Sequence, residues 1–257
     1  MTQTEKKVFA RTEVLTSQQT HYCPGCGHGI VHRLVAEALD HFGLREKTVC
    51  VAPVGCSVLA YKYLAIDMSE AAHGRAPAVA TGVKRARPDL FVFTYQGDGD
   101  LAAIGTAEIV HAANRGENIS VVFVNNAVYG MTGGQMAPTT MLGQKTTTSP
   151  AGRNLQSEGS PIKVAEMLSA LDAPSYIARV TVDKPAAVRK AKQAILTAFQ
   201  RQIDGKGFSL VEVLSPCPTY WRMPAAKAMS AIEDTMVKVF PLGVFKDKEA
   251  ANGNQTA

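Results

Sequence analysis

Long hydrophobic runs are missing from this chain of 257 residues: stretches such as 119–124 fall well short of the roughly 20 apolar residues a bilayer crossing needs, so no membrane partner is expected. An excess of one charge is missing as well. With 27 Lys+Arg against 22 Asp+Glu the formal net charge is +5, which calls for no nucleic-acid partner. Five cysteines are too few for a disulfide scaffold, and an odd number leaves one unpaired, so metal or cluster ligation is the better question for them. The N-terminal MTQTEKKVFARTEV has no apolar core followed by a small-residue cleavage site; no secretory signal is read there, and the cytoplasm is the expected compartment. What is present, 46% hydrophobic against 19% charged residues, can bury one sizeable core and excludes disorder of the whole chain. One large domain over residues 1–240 is expected, followed by a polar, poorly ordered tail at 241–257.

The chain alternates strand and helix patterns. Ile30, Val31, Leu34, Val35, Ala38, Leu39 and Phe42 fall at helical spacing, and TVCVAPV that follows is a short β-branched run suited to a buried parallel strand. Residues 77–87 form the next helix, stopped by Pro88, and LFVFTYQ the next strand. Residues 101–114 again carry a helical pattern, and ISVVFVNN is a third buried strand. After Asn126 comes a long stretch rich in Gly, Ser and Thr, a length usual for functional loops rather than plain connectors. PIKVAEMLSAL, SYIARVTV, KPAAVRKAKQAILTAFQ and GFSLVEVLS then resume the alternation. The fold class is α/β: a mostly parallel, doubly wound sheet with helices on both faces.

The second strand ends in Gln96-Gly97-Asp98-Gly99-Asp100 and opens directly into a helix. Glycines either side of an aspartate let the backbone approach a phosphate, and the helix start adds amide donors. The third strand ends in Asn125-Asn126, with Asn126 lying 28 positions after Asp98. On neighbouring parallel strands both residues emerge at the carboxyl edge, where such sheets bind ligands. One carboxylate and one amide oxygen suit magnesium shared with a diphosphate. Alone, each motif is an ordinary turn; together, with one crossover between, they point to a site.

Cys23 and Cys26, two residues apart on a loop at 21–28, can direct two thiolates at one metal centre, as in zinc knuckles. Cys56 lies at the carboxyl end of a strand, on the edge of the diphosphate site, and Cys217 follows the last strand. Four thiolates can therefore meet near a bound diphosphate. Zinc carries no electrons, whereas an iron–sulfur cluster does. Cys50 sits inside a strand and reads as a small buried apolar group. His73 stands in Ala72-His73-Gly74-Arg75, where the glycine permits a tight approach; taken alone it reads as a hydrogen-bonded structural histidine. His28 is placed behind the site, His32 on the surface, and Trp221 in packing or a subunit contact. Glu108 and Glu117 read as structural.

GDG, about 27 residues, then NN resembles the thiamine diphosphate signature, and the similarity is closer than that. HYCPGCGHG, VGCS, HGRAPAVATG, QGDGDLAAIGTAE and NNAVYGMTGGQ are similar to the thiamine-binding β subunit of 2-oxoacid:ferredoxin oxidoreductases, over about residues 23–217. The resemblance implies a thiamine-diphosphate-binding fold with magnesium on Asp98, Asn126 and the backbone oxygen of Val128. It implies cofactor contacts from Gly55, Cys56, Ser57, His73, Gly97, Gly99, Asp100, Gly130 and Met131, and one 4Fe–4S cluster on Cys23, Cys26, Cys56 and Cys217. It further implies coenzyme A-dependent oxidative decarboxylation of a 2-oxoacid, of the branched-chain or 2-oxoglutarate type, with electrons passing through the cluster to ferredoxin. A partner α subunit, with γ and ferredoxin-like δ subunits as further partners, would supply the glutamate that activates the aminopyrimidine, a residue with no candidate here. Some relatives carry a basic residue three positions after the third cysteine; here it is Leu59, so the contacts to substrate and coenzyme A are not legible. Two other readings stand beside this one: a non-redox thiamine-dependent decarboxylase or lyase with structural zinc, and a non-catalytic electron-transfer subunit.

Overall fold

The computed structural model describes residues 10–253. Its frame is a seven-stranded sheet built from β1 (Thr48–Ala52), β2 (Asp67–Glu70), β3 (Phe91–Gly97), β4 (Ser120–Asn125), β5 (Tyr176–Thr181), β6 (Ser209–Leu214) and β7 (Gly243–Asp247). The order across the sheet is β2-β1-β3-β4-β6-β5-β7, and every neighbouring pair is parallel except β5 with β7. The chain runs outward from β1 to β2, then crosses back to place β3 on the other side of β1. That reversal puts a crevice at the carboxyl ends of β1 and β3, the usual ligand position in such sheets.

The central strands are apolar on both faces because helices cover both. On one side Phe91, Phe93 and Tyr95 of β3 with Val122 and Val124 of β4 pack under the helices His28–His41 and Pro185–Ile203. On the other, Val92, Val121 and Phe123 pack under Ala76–Ala86, Thr106–Asn114 and Val164–Ser169. The long helix Pro185–Ile203 follows its pattern: a proline opens it, and Ala187, Ala191, Ala194, Ile195, Ala198 and Phe199 are buried at spacings of three and four. Among the described residues no helix is long and apolar enough to cross a membrane.

Three expectations need correction. Residues 243–247, placed by sequence in a polar tail, form β7 and pair antiparallel with β5, and Lys248–Gly253 is helical; residues 254–257 lie outside the described residues. The helix expected over 101–114 is two pieces, a π-helical segment Gly99–Ile104 and the α-helix Thr106–Asn114, because the Gly105 amide bonds back to Asp100. β2 was not expected at all: DMSE is polar and half exposed, and only its pairing with β1 makes it a strand.

Candidate functional site

One pocket opens at the carboxyl ends of β1, β3 and β4. It gathers Gly55 and Cys56 after β1, His73 from the turn before Ala76–Ala86, Gly97, Asp98, Gly99 and Asp100 after β3, and Asn126, Val128, Gly130 and Met131 after β4. Of the residues expected around the cofactor only Ser57 does not line it; its side chain is buried, with an unpartnered hydroxyl.

Asp98 is buried and accepts only neutral donors: the Gly99 amide at 2.9 Å and the Thr139 hydroxyl at 2.6 Å. Burial pushes its carboxyl up to about 6, and these donors, with the nearby Ala127 and Val128 amides, hold it from rising further. A buried carboxylate with donors but no cation is what a divalent ion would complete. The facing turn is strained into place. Ala127 has φ of 60°, a left-handed conformation rare outside glycine, and it sits between Asn126 and Val128. Its carbonyl accepts from Thr140 at 2.7 Å and Gln144 at 3.1 Å, while the Asn126 carbonyl accepts from the Trp221 indole at 3.0 Å. Trp221 thus braces the turn from inside the chain.

Asp100 works differently from Asp98. One of its oxygens accepts from His73 Nδ1 and from the Gly74 amide, both at 2.6 Å, and the other accepts from Gln96 at 2.7 Å. A carboxylate only accepts, so His73 carries its proton on Nδ1, and its Nε2 is left for the pocket it lines. Gly99 is required for space: a Cβ there would stand 2.1 Å from the Tyr129 ring, whose hydroxyl donates back to the Gly99 carbonyl at 3.2 Å. Tyr129, Thr139 and Gln96 were not found by sequence reasoning, because nothing in their spacing marks them.

The cysteines divide as four and one. The Cys23–Cys26 loop is tied to the end of β6 by the Gly27 amide, which donates to Ser215 Oγ at 3.1 Å, and Cys217 follows two residues later. Cys56 and Cys217 converge as well: a Cβ built on Gly130 would stand 3.2 Å from Cys56 Sγ and 3.7 Å from Cys217 Sγ. Burial pushes Cys26 and Cys217 up to about 11 and Cys56 to about 12, and neighbouring thiols push further, Cys56 feeling Cys26, Cys217 and Cys23. Cys50 is fully buried inside β1, among the apolar residues of the core. Among the described residues no three His, Cys, Asp or Glu side chains converge on a single ion position.

His28 lines the pocket, its Nδ1 2.8 Å from the Tyr95 hydroxyl. His32, expected on the surface, is 2% exposed, because the helix turns it inward against Tyr22, Tyr63 and Tyr95. Arg75 is paired with Glu108, and Glu117 with Arg85 and Arg115, so neither glutamate reaches the pocket.

Residues 53–213 match the family described as thiamine pyrophosphate enzyme, C-terminal TPP binding domain. The chain is 51% identical over 95% of its length to ketoisovalerate oxidoreductase subunit VorA of Methanothermobacter thermautotrophicus, of which it spans about half, 51%. It is 39% identical over 93% of its length to 2-oxoglutarate synthase subunit KorB of Archaeoglobus fulgidus, of which it covers 87%. In fold it is similar to 2-oxoglutarate:ferredoxin oxidoreductase from Magnetococcus marinus, with a TM-score of 0.75 over 97% of this chain and 91% of that one at 24% identity. On the family match and the KorB similarity, the chain belongs to the thiamine-diphosphate-binding subunits of the 2-oxoacid:ferredoxin oxidoreductase family.

Proposed function

We propose that this chain is the catalytic β-type subunit of a coenzyme A-dependent oxidoreductase that decarboxylates a branched-chain 2-oxoacid and passes the electrons to ferredoxin. The observation that carries the reading is the double position of Cys56. It lines the pocket that holds Asp98 and Asn126, and its sulfur converges with that of Cys217 beside Gly130. A redox centre on those thiols would therefore border the pocket itself. In this reading Asp98, Asn126 and the Val128 carbonyl hold magnesium, and Cys23, Cys26, Cys56 and Cys217 hold one 4Fe–4S cluster. Thiols whose protons are held up to about 11 or 12 by burial would need the iron charge to stay deprotonated.

When bound, thiamine diphosphate supplies the centre that accepts the electron pair left by loss of carbon dioxide, and the cluster a one-electron exit. The chain's own residues position and insulate. Asp98 and the 126–128 turn fix the cation, while Asp100 fixes the His73 tautomer so that Nε2 faces the bound group. Tyr129 fills the space over Gly99. Cytoplasmic residence, the α, γ and δ partners, and the domain span of 1–240 extended through β7 belong to the same proposal. The branched-chain substrate is favoured by the higher identity to the ketoisovalerate relative than to the 2-oxoglutarate one.

The rival reading places one structural zinc, which carries no electrons, on the same thiols. Iron and acid-labile sulfide analysis of anaerobically purified protein tests the choice. Iron and sulfide near four per chain are expected, falling sharply in Cys56→Ser and unchanged in Cys50→Ala. Zinc with no sulfide would overturn the redox reading. Asp98→Ala should lose thiamine diphosphate and magnesium together, and normal retention would overturn the cation assignment.

A further inference from the structure

Arg179 on β5 heads the largest fully buried side chains, with no exposed side-chain surface. Its Nε lies 2.9 Å from Oε2 of Glu212 on β6, and its two terminal nitrogens donate to Glu166 at 2.9 and 2.5 Å. One of them also donates to the Pro241 carbonyl at 3.1 Å, and the rings of Phe240 and Phe245 lie 5.4 and 4.8 Å from the guanidinium. Glu212 is equally buried, and its second oxygen, Oε1, accepts from Asn125 Nδ2 at 2.8 Å. Asn125 in turn accepts, through Oδ1, the amide of Ala127 at 3.2 Å. This sequence of contacts runs from β5, across β6, to the residue after β4 with φ of 60° between Asn126 and Val128.

Buried ion pairs contribute little net stability over apolar packing, so this one points to a positional role. The orientation of the Asn125 amide is the key. Facing Glu212 it must show its NH₂, since a carboxylate only accepts, and only then does its oxygen face the Ala127 N–H. Turned over, it would set N–H against N–H at Ala127. We propose that Arg179, Glu212 and Asn125 form a positioning chain that holds the 126–128 turn in its strained shape, and so sets the chain's affinity for the divalent cation and diphosphate. This rests on the reading that Asn126 and Val128 hold magnesium.

The test reverses the polarity of one link. In Glu212→Gln the new amide oxygen is drawn to Arg179, its NH₂ faces Asn125, and Asn125 must either clash or turn over. In Asn125→Asp two carboxylates oppose each other. In the double variant the new NH₂ donates to the new carboxylate, whose other oxygen still takes the Ala127 amide. The full chain is titrated with thiamine diphosphate and magnesium by calorimetry. Trp221, its single tryptophan, donates to the Asn126 carbonyl and gives a fluorescence signal from the turn. Each single variant should lose about tenfold or more in magnesium-dependent affinity, the scale seen when the partners of metal ligands are removed, with altered Trp221 emission. The double variant should regain both. Singles that bind like the wild type, or a double that regains its unfolding midpoint but not its affinity, would overturn the proposal. Should a single variant fail to fold, Asn125→Ser, which gives up the Glu212 contact and keeps an oxygen near Ala127, is read in its place by the same criteria. A wild-type chain that binds no thiamine diphosphate would bring down the site reading too, whereas wild-type binding with unaffected variants removes only the positioning chain.

Discussion

His32 is held neutral by its surroundings: burial, then the charges of His28 and His21, push it down to about 3, and its Nε2 lies 2.8 Å from the Tyr22 hydroxyl. His28 is pushed to about the same value, again chiefly by burial. In the unfolded chain both take up protons near 6.5. Their contribution to stability is therefore complete above pH 6.5 and is lost as pH falls from there toward 3, by about 1.4 kcal/mol per pH unit for each histidine. Denaturant unfolding at pH 7.5 and pH 5 should show this loss, and His32→Gln, which keeps a hydrogen-bonding group and removes the titration, should make it shallower. An unchanged slope would mean that His32 is not buried neutral. Sequence reasoning missed this residue because it lies four positions after His28 on one helix, and a polar side chain in that place reads as solvent-facing until Tyr22, Tyr63 and Tyr95 are seen around it. The place of Asp98, Asn126 and Cys56 at one pocket was legible for the opposite reason: close backbone approach leaves a spacing in the sequence.

At the level of elements, the buried strands declared themselves as β-branched runs, whereas β2 and β7 did not. Both depend on a neighbour's edge, β2 on β1 and β7 on β5, and such pairing leaves no pattern of its own. The break between the π segment and the helix Thr106–Asn114 was equally hidden, because it is set by contact with another loop. Gly74, at φ of +79°, presses on it: a Cβ there would come within 2.6 Å of the Gly105 backbone nitrogen. Backbone cannot yield as a side-chain tip can. Gly74→Ala should thus push apart the two turns that carry His73 and Asp100, at a cost of about 1–3 kcal/mol. Calorimetric unfolding would show the lowered midpoint, and weakened thiamine diphosphate binding should accompany it, since the Gly74 amide is one of the donors that orient Asp100. An unshifted midpoint would show that these turns are free to move.

At the scale of the whole molecule the proposed function makes the pocket half a site. Asp98, Asn126 and Cys56 line it, and among the described residues no glutamate does. Glu108, Glu117, Glu166 and Glu212 each face a guanidinium elsewhere. Aminopyrimidine activation needs a carboxyl hydrogen-bonded to the ring, and in the proposed reading another chain or domain supplies it. Two apolar side chains at the pocket, Val54 and Met131, are 38% and 43% exposed, as expected of a rim that a second surface covers. The chain spans about half of its ketoisovalerate relative, which leaves room for such a surface in that protein. The 257-residue chain, reconstituted with magnesium, thiamine diphosphate, iron and sulfide, should therefore retain its cofactors and yet turn over no 2-oxoacid with coenzyme A and a viologen dye. Adding the partner subunit should restore turnover, and replacing one buried glutamate of that partner should abolish it while thiamine and iron contents stay constant. Turnover by the isolated chain at the rate of the complex would place the activating carboxyl here, and Glu108, whose second oxygen is buried without a partner, would be the first residue to replace.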